Sequence, residues 1–230
     1  KQTYKTGLGT SDADSITLLG HDLATEILGK YSFGELSYYL ITKRRPTPGQ
    51  LVMFEAVLAS LADHGFTPTA IAARLTYASA PDSLQGALAA GLLGGGSRFL
   101  GVTEDCAHFL ARELKEIGDA PTTQDGWDAA ALNAVQKQRD IGKFVPGLGH
   151  PVHKQGDPRT PVLIAMAREQ GLFGSHLSLF EAIGRVHVQV LGKTLPLNGA
   201  GVCGASLASR SSLSCVKGCD RNSVSHSDSS

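Results

Sequence analysis

Helix signals follow one another along most of this chain, and they constrain its fold more strongly than any other feature. Leu51, Phe54, Val57, Leu58 and Leu61 recur at the spacing that places apolar side chains on one face of a helix. No segment alternates apolar and polar residues over five or more positions between turn signals, so a sheet-based fold has little support. The sequence therefore predicts an all-α fold.

Proline and glycine mark where the predicted helices begin and end. Thr67 before Pro68 and Thr160 before Pro161 each combine a capping hydroxyl with a proline at the first helical position. Glycine follows the last apolar position of several segments, where a helix commonly stops. The predicted helices cover residues 22–28, 33–41, 50–62, 68–78, 83–93, 103–117, 127–140, 160–170 and 175–190.

The composition argues against several classes of partner. Lys and Arg together number 21, as do Asp and Glu, so no net charge attracts nucleic acid or an anionic membrane. No apolar run approaches the ~20 residues that cross a bilayer, and the first residues do not resemble a signal peptide. These features predict a cytoplasmic protein. Cys215 and Cys219 near His226 are too weak a signal to predict zinc, so no metal site is assigned.

One loop, at residues 145–159, is unusually dense in chemically active side chains. It holds two histidines, an aspartate, a lysine and an arginine among glycines and prolines. The glycines let the backbone approach a ligand, and the prolines stiffen its path. A basic surface turn is the alternative interpretation. The density of functional groups favours a ligand-binding loop.

Two other irregular segments are candidates for the same site. His64 lies in a tight corner at residues 61–65, between two predicted helices. Gly94, Gly95 and Gly96 form a run that indicates either a tight turn or a ligand passing close to the backbone.

These motifs resemble those of the citrate synthase superfamily. Its Ala-Asp-His, Gly-x-Gly-His and Asp-Pro-Arg elements stand here in the same order, at residues 62–64, 147–150 and 157–159. The resemblance covers about residues 15–207. It implies an all-α enzyme that binds a coenzyme A thioester and a small organic acid in a cleft and forms a homodimer.

Within the superfamily, two segments are most similar to citryl-CoA lyase and to the lyase module of ATP-citrate lyase. They are the Ala62–Gly65 corner and the Gly91–Phe99 run. The resemblance implies a large helical domain from residues 1–65 and 171–207 and an inserted smaller helical domain at 66–170. Residues 208–230 are rich in serine and contain apolar residues only singly, which predicts a degenerate or disordered tail.

The resemblance also implies roles for individual residues. His64 would hydrogen-bond the thioester carbonyl and stabilise an enolate, and Asp157 would carry a proton to or from the acetyl carbon. Their structural alternatives are a helix-capping histidine and the acidic start of a helix. The implied substrate-binding residues are Arg159, His150 and Arg98, and the implied coenzyme A residues are Gly147, Gly149, Lys143 and Lys154.

Three positions depart from the family pattern. Gly94 stands where citrate synthases usually carry a second catalytic histidine. The absence of that histidine removes the proton donor for condensation and favours the lyase direction. Pro151 stands where many relatives have arginine, and Ala200 where relatives often have the aspartate of an Asn-x-Asp-Gly motif. These two changes, together with the degenerate tail at 208–230, favour binding without turnover.

The most specific prediction is a citryl-CoA lyase-like enzyme that cleaves citryl-CoA to acetyl-CoA and oxaloacetate through an enolate. The coenzyme A thioester is then a substrate, and no cofactor is covalently bound. Two alternatives are a citrate or 2-methylcitrate synthase and a non-catalytic acyl-CoA-binding remnant. Residues 208–230 lack the helices with which family members complete their large domain, so dimerisation could be impaired.

Overall fold

The computed structural model describes residues 6–63, 65–96 and 100–208, and helices account for most of them. The predicted all-α fold class is confirmed. The elements in chain order are β1 (Gly9–Ser11), β2 (Ile16–Leu18), β3 (His21–Asp22), a π-helical turn (Leu23–Ile27), α1 (Phe33–Thr42), α2 (Pro48–Ser60), α3 (Pro68–Ser79), α4 (Leu84–Leu93), α5 (Val102–Ile117), α6 (Gln124–Asp140), α7 (Arg159–Glu169), α8 (Ser175–Leu191) and α9 (Gly199–Ala208).

One of the two predicted threonine caps is confirmed and the other is wrong. Thr67 accepts a hydrogen bond from the Ala70 N–H at 3.3 Å, with Pro68 at the first helical position of α3. α7 begins at Arg159, so Thr160 lies inside its first turn and does not cap the helix. Its hydroxyl instead donates to the Leu197 carbonyl oxygen at 2.9 Å and ties α7 to a distant loop.

A small antiparallel sheet that the sequence pattern does not predict precedes the helices. β1 pairs with β2, and β2 pairs with β3. The strands are three, three and two residues long, so an alternating pattern has no room to develop. The helix predicted at 22–28 is a π-helical turn, capped by Asp22, which accepts a hydrogen bond from the Thr25 N–H at 2.7 Å.

The hydrophobic core lies mainly between α5, α6, α8 and α9. α6 packs along α8, and α5 packs along α9. The same core draws side chains from all three parts of the predicted domain division, whose boundaries stay a prediction. Its largest fully buried side chains are Phe109, Leu110, Val135, Leu177, Leu179, Phe180, Ile183 and Val202.

Helix α9 is absent from the sequence-based prediction although most of its residues are buried. Its glycines explain why the sequence pattern does not predict it, because glycine has a low intrinsic helix propensity. Packing explains them: a Cβ added at Gly201 would lie 2.7 Å from the Gly147 Cα and from the Phe180 ring. The predicted tail lies outside the described residues, except for Ala208, which ends α9.

Helices α3 and α4 form a hairpin whose main contacts are internal. Large apolar side chains on this hairpin are between 62% and 86% exposed: Leu75, Leu84, Leu88, Leu92 and Leu93. An exposed apolar surface of this extent commonly marks an interaction site. None of the described helices is long and apolar enough to span a bilayer, and the cytoplasmic location stays a prediction.

Candidate active site

The loop that follows α6 is fastened to the segment before α9. Gly147 and Gly149 have φ values of +80° and +91°, which side-chain-bearing residues rarely adopt. The Gly149 N–H donates to the Pro196 carbonyl oxygen at 2.7 Å, and the Asn198 N–H donates to the Gly147 carbonyl oxygen at 2.8 Å. The Asn198 amide group also donates to the Gly149 carbonyl oxygen at 3.2 Å. Both segments are therefore held in one fixed arrangement.

Gly147 rests directly on the core. A Cβ added there would lie 2.8 Å from the Cys106 Sγ and 2.8 Å from the Phe180 ring. Gly149 has open space around it, with only Leu195 within 4 Å of an added Cβ. Both glycines of the predicted coenzyme A loop line one cavity, but only Gly147 also packs tightly against the core.

Asp157 and Arg159 form a two-pronged ion pair at the start of α7. The Arg159 Nε donates to Asp157 Oδ1 at 2.9 Å, and its Nη2 donates to Oδ2 at 2.7 Å. Asp157 Oδ1 also accepts the Arg159 backbone N–H at 3.1 Å, and Oδ2 accepts the Gly199 N–H at 2.7 Å. The Asp157 side chain has no exposed surface.

The surroundings of Asp157 keep its carboxylate ionised. Burial raises the pKa of an aspartate, but here the hydrogen bonds from the Arg159 side chain and from the Gly199 and Arg159 N–H groups outweigh it. The pKa of Asp157 therefore lies well below its ordinary value. A carboxylate in this state anchors its neighbours well and exchanges a proton with a ligand only after those hydrogen bonds open. Its predicted catalytic role stays a prediction.

Arg159 connects this ion pair to the end of α2. Its Nη1 donates to the Ser60 carbonyl oxygen at 3.1 Å. Counting contacts with the described residues, the side chain of Arg159 uses three of its five N–H groups. Two N–H groups are therefore left for an acceptor on a ligand. The guanidinium also lines an open cavity of about 540 Å³. The predicted role in binding a substrate carboxylate stays a prediction, and this geometry is compatible with it.

His150 is buried between the ion pair and the loop that follows it. Its Nδ1 accepts the N–H groups of Val152 at 3.1 Å and His153 at 2.9 Å. The ring proton is therefore assigned to Nε2, which lies 4.0 Å from Asp157 Oδ2. The His150 ring lines two cavities and stands where they meet.

The smaller cavity, of about 540 Å³, joins the two corners that the sequence analysis singled out. Asp63 and Gly65 line it from the α2–α3 corner, and Pro158 and Arg159 line it from the start of α7. His64, the predicted catalytic histidine, lies between those first two residues in sequence but outside the described residues. The corner that carries His64 and the loop that carries Asp157 are thus brought together.

The larger cavity, of about 1110 Å³, extends from His150 along the loop towards the end of α6. Lys143, Gly147 and Gly149, all predicted to bind coenzyme A, line it. Lys154 is exposed and lines neither of these two cavities. Arg98, another predicted substrate ligand, lies outside the described residues.

Other features of the site have little or no signal in the sequence. The Ser60 carbonyl and the Gly199 N–H are backbone groups, which no side-chain motif reveals. Asn198 could be noticed only through its place in the altered family motif. Among residues 6–63, 65–96 and 100–208, no group of three or more His, Cys, Asp or Glu side chains could hold a metal ion.

Comparison with known sequences identifies the family. Residues 12–195 match the sequence family described as "Citrate synthase, C-terminal domain". The chain belongs to the citrate synthase family. A citrate synthase from Deinococcus radiodurans is 31% identical over 163 residues, which is 67% of this chain and 38% of that protein. This chain therefore spans about two fifths of the curated relative.

Solved structures of the family have the same fold. A citryl-CoA lyase from Hydrogenobacter thermophilus superposes with a TM-score of 0.77 at 30% identity, covering 90% of this chain and 76% of the lyase. An ATP citrate lyase from Methanothrix soehngenii, solved with citrate and coenzyme A, gives a TM-score of 0.73 at 24% identity. This match covers 90% of the present chain and 32% of the ATP citrate lyase chain, and it supports the fold alone.

Proposed function

We propose that this member of the citrate synthase family cleaves citryl-CoA to acetyl-CoA and oxaloacetate. The observation that carries the proposal is its likeness to the Hydrogenobacter thermophilus citryl-CoA lyase, at 30% identity over 90% of this chain and 76% of the lyase. Gly94 adds support, because it provides no side chain to protonate the ketone of oxaloacetate during condensation.

The two cavities that meet at His150 offer one place for each half of the substrate. We assign the acid to the smaller cavity, where two N–H groups of Arg159 remain for a carboxylate. We assign the coenzyme A thioester to the larger cavity, along Gly149 and Lys143. The reacting carbon atoms then lie near His150.

His64 would stabilise the charge that develops when the carbon–carbon bond breaks. The family resemblance assigns it as the hydrogen-bond donor to the thioester carbonyl, whose oxygen becomes the enolate oxygen. Its neighbours Asp63 and Gly65 line the smaller cavity, which supports this assignment. A preorganised donor at such a position often supplies the largest catalytic contribution.

Asp157 has two candidate roles. The family resemblance proposes it as the proton carrier for the acetyl carbon. Its hydrogen bonds favour a second role, in which its carboxylate holds the Arg159 guanidinium in the orientation that a substrate carboxylate needs. The second role requires no rearrangement of the buried ion pair.

A direct assay of carbon–carbon cleavage tests the proposal. Purified protein is incubated with citryl-CoA, and oxaloacetate release is followed in the wild type and in His64→Ala. We expect release by the wild type and a loss of about 10²–10³ in rate for the variant. His21→Ala, in β3 and away from both cavities, is the matched control. No release by the wild type, or full release by His64→Ala, would contradict the proposal.

A citrate synthase reaction is the second candidate, and the 31% identity to the Deinococcus radiodurans citrate synthase supports it. This enzyme would condense acetyl-CoA or propionyl-CoA with oxaloacetate and release free coenzyme A. A thiol assay separates the two reactions, because cleavage alone leaves the thioester intact.

Binding of acyl-CoA without turnover is the third candidate. It is supported by the saturated hydrogen bonds of Asp157 and by Ala200, which lines the larger cavity without a carboxylate. Calorimetric binding of coenzyme A by a protein that neither cleaves citryl-CoA nor releases thiol would favour this candidate.

We also propose that the protein forms a homodimer through the α3–α4 hairpin. The exposed leucines of this hairpin support the proposal, because association would remove their apolar surface from water.

A further inference from the structure

Gln138 is a buried polar residue at a position where the pattern of α6 predicts an apolar one. Ala131, Ala134 and Val135 form the buried face of this helix, and Gln138 continues that face at the next helical position. Only 5% of the residue is exposed. Its backbone carbonyl oxygen accepts the Lys143 N–H at 2.9 Å, but no described residue hydrogen-bonds to its side-chain amide. Buried amide groups normally have such partners.

A ligand in the larger cavity can supply the partners of this amide, because Gln138 lines that cavity. The side chain of glutamine donates hydrogen bonds through its NH₂ group and accepts them through its carbonyl oxygen. It is therefore satisfied best by a neutral group that also donates and accepts. Coenzyme A, the ligand assigned to this cavity, carries phosphate groups, an adenine ring and a pantetheine arm.

The charged side chains of the cavity favour a site for the phosphate groups away from Gln138. Arg112 and Lys137 line the cavity, but they contact Glu113 at 3.6 and 3.3 Å, and Lys137 also contacts Glu116. Lys143 is exposed and forms no ion pair with a described residue. We therefore expect the phosphate groups at Lys143, whose charge no described carboxylate neutralises.

The adenine ring also has a binding surface other than Gln138. Phe144 follows Lys143, lines the cavity and is 94% exposed, so its ring face is open to stacking. The pantetheine arm is the uncharged part of coenzyme A that joins this end to the thioester sulfur, and it contains two amide groups. The buried Gln138 amide can pair with one of them, donating to its carbonyl oxygen and accepting from its N–H.

We propose that Gln138 is a specificity-determining residue that hydrogen-bonds an amide group of the pantetheine arm. The inference rests on the assignment of the coenzyme A thioester to the larger cavity. It explains why a polar residue continues the apolar face of α6. Gln138 then selects thioesters carried on pantetheine over thioesters of simple thiols, which have no amide group.

Calorimetry with two ligands tests this contact without turnover. One ligand is coenzyme A, and the other is a coenzyme A analogue in which an ethylene unit replaces each amide of the arm. We expect Gln138→Leu to raise the Kd of coenzyme A about 10-fold. The Kd of the analogue should stay the same, because it has no amide group to lose. Gln136→Leu is the matched control: Gln136 lies on the same helix, donates to Asp140 at 2.6 Å and does not line the cavity.

Three results of this titration would overturn the inference. One is a Kd for coenzyme A that Gln138→Leu leaves unchanged. Another is an equal rise in Kd for both ligands, which would mean that Gln138 contacts the adenine ring or acts on the fold. The third is wild-type protein that does not bind coenzyme A, which would also contradict the assignment of the cavity.

Thermal unfolding of the ligand-free protein separates recognition from a structural role. Leucine is close to glutamine in size and removes the unpaired polar group, so we expect Gln138→Leu to unfold at or above the wild-type temperature. Unfolding well below that temperature, with weaker binding of both ligands, would show that Gln138 supports the fold and would overturn the inference.

Kinetics with citryl-CoA connect the inference to the proposed function. We expect Gln138→Leu to raise KM about 10-fold with little change in kcat, because the arm makes the same contact before and during bond breaking. A lower kcat at an unchanged KM would overturn the binding role. Wild-type protein that shows the Gln138 effect in calorimetry but releases no oxaloacetate would contradict the proposed function and leave the inference standing.

Discussion

Single residues in this site owe their behaviour to the partners that distant parts of the chain supply. Asp157 is two residues before Arg159, and their ion pair could be anticipated from sequence as a local contact. The Gly199 N–H and the Ser60 carbonyl oxygen, which complete the network, come from α9 and α2. Whether the carboxylate was free or enclosed could not be predicted, because that depends on backbone groups far away in sequence.

The low pKa of Asp157 leads to a stability prediction. A carboxylate whose pKa is lower in the folded state stabilises the fold above its ordinary value of about 3.9, and this contribution is lost as the pH falls towards the folded value. We expect Asp157→Asn to lower the free energy of unfolding by about 1–3 kcal/mol at pH 7. Urea unfolding at pH 7 and pH 3 measures the difference.

The difference between wild type and Asp157→Asn should shrink at pH 3, since the wild type loses part of its own contribution there. Asp82→Asn, on an exposed turn, is the control and should change stability little at either pH. A penalty for Asp157→Asn that is equal at both pH values would mean that the ionised carboxylate contributes nothing to the fold.

At the scale of elements, the sequence predicts long helices well and short or glycine-rich elements poorly. α2 carries the apolar spacing of a helix, and α3 begins at the threonine cap that the sequence predicts. β1 to β3 are too short to show a period, and α9 contains glycines that local propensity counts against a helix. What decides α9 is contact with α5 and with the 145–150 loop, and such contacts are invisible in a local pattern.

The 145–150 loop gives a prediction at this scale. We expect Gly147→Ala to destabilise the protein by about 2–4 kcal/mol, because the added Cβ meets Cys106 and Phe180 at 2.8 Å and the φ of +80° is unfavourable. Gly142→Ala is the matched control, since it shares a positive φ of +66° but has no atom within 4 Å of the added Cβ. Thermal unfolding compares the two variants.

We expect Gly142→Ala to lose only about 1–2 kcal/mol, the cost of the backbone conformation. Equal losses in the two variants would show that the contact of Gly147 with the core contributes nothing. Coenzyme A binding should weaken in Gly147→Ala, because the loop must move away from α9 to accommodate the methyl group.

At the scale of the whole molecule, the order of motifs along the chain was enough to predict the family and the fold class, both of which are confirmed. The same reasoning predicted that the His64 corner and the Asp157 loop converge, and residues flanking both line one cavity. It could not predict that this cavity adjoins a second one at His150, since that depends on how α5, α6 and α9 pack together.

The α3–α4 hairpin gives a prediction about association. Leu88 is 63% exposed on α4, so Leu88→Glu adds a charge without disturbing the core of a monomer. We expect this variant to be monomeric under conditions in which the wild type is a dimer, as measured by light scattering after size-exclusion chromatography. Leu28→Glu, at an equally exposed leucine outside the hairpin, should leave the wild-type state unchanged. A monomeric wild type would contradict the proposal.

The close packing of Gly147 against Gly201 and Phe180 limits how the sequence of this loop can diversify. The helices beneath the 145–150 loop fix its backbone path, so this path cannot change unless those helices also move. Pro151 also borders the larger cavity, but it is exposed and carries no such constraint. New acyl preferences should therefore arise by exchanging that outward residue, while the loop that presents it keeps its shape.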